Sequence, residues 1–145
     1  MKPSQLLIGA IAAAALASLT PIAANAAPRA ACGLFSLAEI RAVLAAPVVS
    51  LIAGTPAPTV RGDSTFSTCT YGLPKTMRDA SSFTLMWAPS AELARLEKFS
   101  AQRKATAQIK GDVLVLATVT KTSGGTAVID QVASKKLLAA ILAKL

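Results

Sequence analysis

The hydrophobic pattern of this chain changes character after Ala26. From Leu6 to Leu19 apolar and small residues run without a charge, behind Lys2 and ahead of Thr20-Pro21 and Ala24-Asn25-Ala26. A charged start, an apolar middle and small closing residues are the order of a secretory signal peptide. The run is shorter than the roughly 20 residues that a helix needs to cross a bilayer, so the expectation is cleavage after Ala26, not a retained anchor. Arg29 stands where a lipid-attachment signal carries an aliphatic residue, and Cys32 lies too far past the apolar run to be lipidated. Residues 27–145 then make one exported domain.

Within that domain the spacing alternates between helical and strand periods. Ser36-Leu37-Ala38-Glu39 is a capping box with Phe35 and Ile40 placed as a hydrophobic staple. It predicts a helix over 36–46 whose buried face is Leu37, Ile40, Val43 and Leu44, ended by Pro47. Val48 to Ile52 reads as a short strand, and 53–64, with Gly54, Pro56, Pro58, Gly62 and Asp63, as an exposed loop. Thr65 to Tyr71 alternates, with Cys69 and Tyr71 on one face and Phe66 on the other. After a polar turn at 74–79, Ser82 to Ala88 sets Phe83, Leu85 and Trp87 on one face by period two. Pro89-Ser90-Ala91-Glu92 opens a second helix, with Ser90 as cap and Leu93, Leu96 and Phe99 inward. Residues 105–109 and 112–120 form a hairpin around Gly111, and 121–125 a loop. From about 127 to 144, Val128, Val132, Leu138, Ile141, Leu142 and Leu145 fall on one stripe of a final helix. The fold class expected is α+β: an antiparallel sheet of about four to five strands with helices packed on one face.

Export gives the two cysteines a role. In an oxidising compartment Cys32 and Cys69 are expected to be bridged. Closing a loop of that length is worth about 3–4 kcal/mol in the chain-entropy model.

Cys32-Gly33-Leu34-Phe35-Ser36, Leu44-Ala45-Ala46-Pro47-Val48, Cys69-Thr70-Tyr71 and Lys110-Gly111-Asp112-Val113-Leu114-Val115, followed by a Leu/Ala-rich last helix, form a recognisable series. It resembles small exported bacterial domains of unknown function. Those carry a Cys before a Leu-Leu-Thr-type helix cap, Leu-Gly-x-Pro-Val after that helix, and a Cys-x-Tyr strand. Ala45 stands where they usually have glycine. The resemblance implies the fold and a Cys32–Cys69 bridge, and it implies no activity.

Composition removes much of catalytic chemistry. The chain has no histidine, so the Ser-His-Asp and Cys-His nucleophile arrangements are out of reach, as is the commonest transition-metal ligand. Bridged cysteines offer no thiolate ligands, and no nucleophile-elbow, phosphate-loop or dinucleotide motif occurs. Glu92 and Glu97 are five apart on one helix and point about 140° apart, so they are no acid/base pair. The expectation is a non-enzyme with no catalytic residue, metal or cofactor. Arg61-Gly62-Asp63-Ser64 spells an adhesion tripeptide but reads as a polar loop with a glycine turn. Trp87 and Tyr71 are each unique and read as core residues. So few aromatics argue against a base-stacking surface for nucleic acid.

Charge adds one positive feature. Lys and Arg number 15 against 7 Asp and Glu, for a net charge of +8. Arg95, Lys98, Arg103, Lys104 and Lys110 crowd one stretch and are the candidate patch for an anionic partner, an acidic protein or an anionic envelope component. Two functional readings follow. One is an exported, non-catalytic binding or accessory module. The other is a peripheral envelope protein held at a membrane surface by its last helix, whose Leu137, Leu138, Ile141, Leu142 and Leu145 lie beside Lys135, Lys136 and Lys144.

Overall fold

The computed structural model describes residues 27–46, 49–73 and 79–145. The expected signal peptide, Pro47-Val48 and most of the 74–79 turn lie outside the described residues. A short 3₁₀ turn at Ala31–Gly33 is followed by α1 (Leu37–Leu44), β1 (Ser50–Gly54), β2 (Thr59–Arg61), β3 (Ser64–Gly72) and β4 (Ala80–Trp87). Then come α2 (Ser90–Gln102), β5 (Thr106–Lys110), β6 (Val113–Ser123), β7 (Thr126–Ile129) and α3 (Gln131–Lys144). The strands form one antiparallel sheet in the order β1-β3-β4-β6-β5, with β2 paired to β3 and β7 to β6. β4 occupies one side of β3 along nearly its whole length, so β1 and β2 share the other side. This is the α+β architecture that the spacing implies.

Period-two alternation decides the buried face. Cys69, Tyr71, Phe83, Leu85, Trp87, Val113, Val115, Ala117 and Val119 join Phe35, Ile40, Leu137, Leu138 and Ile141 in one core cluster. Phe83 is its centre: Phe35 meets it edge-on at 6.0 Å and Tyr71 stacks on it at 6.4 Å. Burial raises the Tyr71 phenol above its ordinary range. Trp87 and Tyr71 are both core residues. The helical layer over this face is α1 and α3, which touch each other. At the β5–β6 end α2 adds a smaller contact, where Leu93 and Leu114 are buried outside the main cluster. Buried hydroxyls tie the layers: Ser67 Oγ accepts from the Ala31 amide at 2.8 Å, and Ser134 Oγ from the Val119 amide at 2.8 Å.

The capping box forms as read: Ser36 Oγ accepts from the Glu39 amide at 3.2 Å, and Glu39 accepts from the Ser36 amide at 2.7 Å. Cys32 and Cys69 form the disulfide, with Cα atoms 5.0 Å apart. α1 stops two residues earlier than predicted, because Ala45 turns left-handed (φ +49°) and its amide closes the helix on Arg41 and Ala42 carbonyls.

Several expectations are corrected. Half of the stretch 53–64 is edge strand: β1 extends to Gly54 and β2 pairs Val60 with Thr65, while Thr55 between them bonds to Thr68. Prolines at 56 and 58 interrupt this edge, as proline does where a strand has one free side. The tripeptide at 61–63 does form the expected glycine turn, the tight end of the β2–β3 hairpin, with Gly62 at φ +56°. The last helix starts at Gln131, not near 127, so Val128 is a strand residue. Gly124 and Gly125 are both left-handed, the requirement of a two-residue hairpin turn, and they fold Thr126–Ile129 back onto β6. Asp130 then caps α3 by accepting from the Ala133 amide at 3.0 Å. Ser90 is the first residue of α2 and not its cap; Pro89 holds that place without a side-chain bond. Leu37 and Phe99 are 42% and 46% exposed, not inward. Phe99 instead carries the Arg103 guanidinium over its ring at 4.4 Å.

Candidate anionic-ligand site

Four of the five candidate cations lie on α2 or just after it, and the fifth ends β5. Arg95 is held by Glu92 through two bonds of 2.9 and 2.6 Å, an i,i+3 pair on one helix face. The pair lowers the Glu92 carboxyl and raises Arg95. Lys98 is exposed and makes no ion pair among the described residues. Arg103 lies over Phe99. Lys104 is exposed in the left-handed region (φ +57°), where a side chain costs about 1–2 kcal/mol. That conformation is the turn by which the chain leaves α2 and enters β5. Lys110 donates from Nζ to the Leu142 carbonyl at 2.6 Å, which places it at the last turn of α3 and away from Arg95. Lys98, Arg103 and Lys104 are each exposed, Arg103 and Lys104 at the end of α2 and Lys98 on the helix before it, about 140° round from Arg103. Arg95 is partly neutralised by Glu92, and Lys110 belongs to a separate contact.

The nearby carboxylates are committed. Glu92 faces Arg95, and Glu97 accepts from the outer amide of Ile109 at 3.2 Å. That last bond caps the open edge of β5 with a side chain of α2.

Between α3 and β5 runs an open groove of about 680 Å³. Its ends are defined by two cross-links. At one end Gln131 Nε2 donates to the Lys104 carbonyl at 2.9 Å; at the other Lys110 reaches Leu142. Lys104, Gln131 and Lys135 line the first end, and Leu138, Ala139 and Leu142 line the second. No carboxylate among the described residues lines it. Asp130, next to Gln131 in sequence, is turned to the Ala133 amide and to Lys121, which together lower its carboxyl.

Lys135 was not part of the candidate patch. Its position three residues before Leu138 and seven before Leu142 puts it on their side of the helix, a signal available in the spacing. That this stripe faces β5 and Lys104 depends on strand order, which spacing does not carry.

The apolar face of α3 is occupied. Leu137, Leu138 and Ile141 are in the core, and Leu142 and Leu145 pack against it. No helix among the described residues is long and apolar enough to cross a membrane. Comparisons with family models, with curated proteins and with solved structures give no match.

Proposed function

We propose that this protein works as an exported, non-catalytic binding or accessory module whose partner is anionic. The observation that carries the reading is that Lys98, Arg103 and Lys104 are exposed on the second half of α2 and just after it, while the nearby Glu92 and Glu97 already have partners. The field of such a group extends about 8 Å at physiological salt and attracts broadly, speeding encounter more than it tightens one complex. A chain without histidine has no obvious acid/base machinery to accompany it. Export agrees with the leader-like residues 1–26 and with a disulfide that suits an oxidising compartment. The rival reading, attachment to a membrane through the last helix, needs an apolar face that α3 already uses in the core.

Capture of partners by the purified protein from an envelope extract tests the reading. Acidic proteins or anionic polymers are expected, eluted by raised salt. The triple change R95Q/K98Q/R103Q weakens capture while stability moves little, since surface substitutions usually cost within about 0.5 kcal/mol. Capture that ignores both salt and the triple change overturns the reading.

A further inference from the structure

The margins of the sheet are not equally protected. An edge strand offers unpaired amides and carbonyls to any other chain, and proteins blunt such edges with charge, proline, a bulge or a covering side chain. On β5 the Glu97 carboxylate takes the outer Ile109 amide. β1 is broken by a bulge between Leu51 and Ala53, and Pro56 and Pro58 separate it from β2, which ends on Arg61. β7 carries no charge, proline or bulge, and all four of its residues are exposed.

Strand pairing fixes which groups β7 presents. The Asp130 amide donates to the Val119 carbonyl at 2.8 Å. By alternation Val128 and Thr126 also turn their backbone groups to β6, and Ala127 and Ile129 turn theirs outward. The Thr122 amide, opposite Ala127, fits the same phase: it donates away from β7, to the Asp79 carboxylate at 2.7 Å. No other described residue bonds to the outward groups of Ala127 and Ile129. Large apolar side chains are exposed along this margin: Val128 at 45%, Ile129 at 44% and, at the start of α3, Val132 at 68%. Val132 shares a cleft of about 420 Å³ with Lys121, Asp130 and Lys136. Asp130 is committed to Lys121 and to the Ala133 amide. Lys136 is exposed and makes no ion pair among the described residues.

We propose that β7 takes up an extended acidic segment of a partner protein as an added strand. Its backbone bonds to Ala127 and Ile129, its apolar side chains lie against Val128 and Val132, and a carboxylate meets Lys136. The proposal rests on the anionic-partner reading and names the form of the partner and the edge where it docks. In strand addition the main-chain bonds give affinity and alternate side chains give specificity. Charge selects the occupant. A second copy would bring its own Lys121 and Lys136 to this margin, cation against cation, whereas a segment with Glu or Asp meets an ammonium that has no carboxylate of its own.

Titration with the end-blocked peptide Glu-Val-Glu-Val-Glu-Val, followed by amide chemical shifts and hydrogen exchange, tests the proposal. The Ala127 and Ile129 amides should shift and exchange more slowly, while those on β1 and β2 stay as they were. Lys-Val-Lys-Val-Lys-Val should bind at least tenfold more weakly. K136Q should weaken the acidic peptide about threefold, the scale of one exposed ion pair. A127P removes an amide that the fold does not use, since proline is accepted on an edge strand whose N–H faces solvent. It should keep the urea midpoint close to that of the parent and abolish peptide binding. A127E keeps the amide and adds a like charge; it should weaken binding severalfold, and it decides the matter if the proline variant does not fold. The proposal falls if the peptide moves neither amide, if the cationic peptide binds equally, or if folded A127P or A127E binds as before. Exchange at Ala127 that slows with rising protein concentration, without peptide, would make a second copy the occupant and overturn it. Salt-sensitive capture that survives A127P but is lost in R95Q/K98Q/R103Q would also overturn it and leave the broader anionic-partner reading standing.

Discussion

The two faces of the sheet are made by alternate residues of the same strands, yet they are closed in different ways. On one face Cys69, Tyr71, Phe83, Leu85 and Val115 disappear beneath α1 and α3. On the other, Thr68, Thr70, Ser82, Thr84, Thr118 and Thr120 stay half-buried. Their hydroxyls pair across strands: Thr68 with Thr84 at 2.8 Å and Thr70 with Ser82 at 3.1 Å, while Thr120 Oγ1 donates to the Ala80 carbonyl at 3.1 Å. Threonine keeps the branched shape that strands favour and offers no large apolar patch for a partner to cover. The first face needs the α1 and α3 layer to exist; the second pairs its hydroxyls within the sheet and has a helix over it only at the β5–β6 end, where α2 brings Leu93 to bury Leu114. Stability should therefore be concentrated on one side of a sheet only one residue thick.

Removing the helical layer should have the largest effect. A chain ending before Ser134 loses Leu137 and Ile141, both fully buried, together with the Ser134 bond to the Val119 amide. It should show no cooperative unfolding transition in urea. A truncated protein that still unfolds cooperatively would mean that the sheet stands without its cover.

Neighbouring residues on β4 then separate the faces directly. Phe83→Ala should cost about 3–5 kcal/mol, the range for emptying a packed aromatic site. Thr84→Ala, one residue on, should cost less than about 1 kcal/mol, the scale of a cross-strand pair. Equal losses in urea midpoints would erase the distinction.

The helices on the buried face have weaknesses of their own. Ala45 ends α1 in the left-handed region, which costs a side chain about 1–2 kcal/mol. Glycine removes that strain and adds freedom to the unfolded chain. Ala45→Gly should therefore stabilise by about 0.5–1 kcal/mol, read as a raised urea midpoint; a lowered midpoint would count against the strain.

The smallest expected effect is at the clasp where Lys144 at the end of α3 meets Glu39 on α1 and lies 5.4 Å from the Phe35 ring centre. The Lys144 bond first, then the Ser36 amide and hydroxyl, pull the Glu39 carboxyl from 4.5 down to about 2. A carboxyl lowered on folding stabilises above its unfolded pKa, and that contribution disappears as pH falls through the folded value. Stability should thus decline between about pH 4.5 and 2, and Glu39→Gln should flatten the decline. An unchanged acid limb in the variant would show that the clasp carries no pH dependence.

Local signals in the chain are strong where one residue type permits one geometry. The capping box at Ser36 and Glu39, the period-two runs at 65–71 and 82–88, and the hairpin at Gly111 all depend on neighbours within a few residues, so they are legible without a fold. The same holds for the cation-rich stretch of 95–110 and for the absence of histidine. The pairing of Cys32 with Cys69 is legible too, because two cysteines leave one intramolecular bridge to make. What failed was decided by partners far along the chain. Val128 has the spacing of a helix stripe, but β6 lay open beside it and two glycines let the chain turn back, so hydrogen bonding to a strand prevailed over periodicity. The segment 53–64 has the composition of a loop and becomes strand because β3 offers it a free side. Phe99 has a core residue's spacing, yet α2 meets the sheet through Leu93, and the ring is left to Arg103. The groove is the clearest case. Lys104 and Lys135 are far apart in sequence and line one groove only because β5 pairs with β6 while α3 packs across both, a placement set by burying Leu137 and Ile141 and not by either lysine.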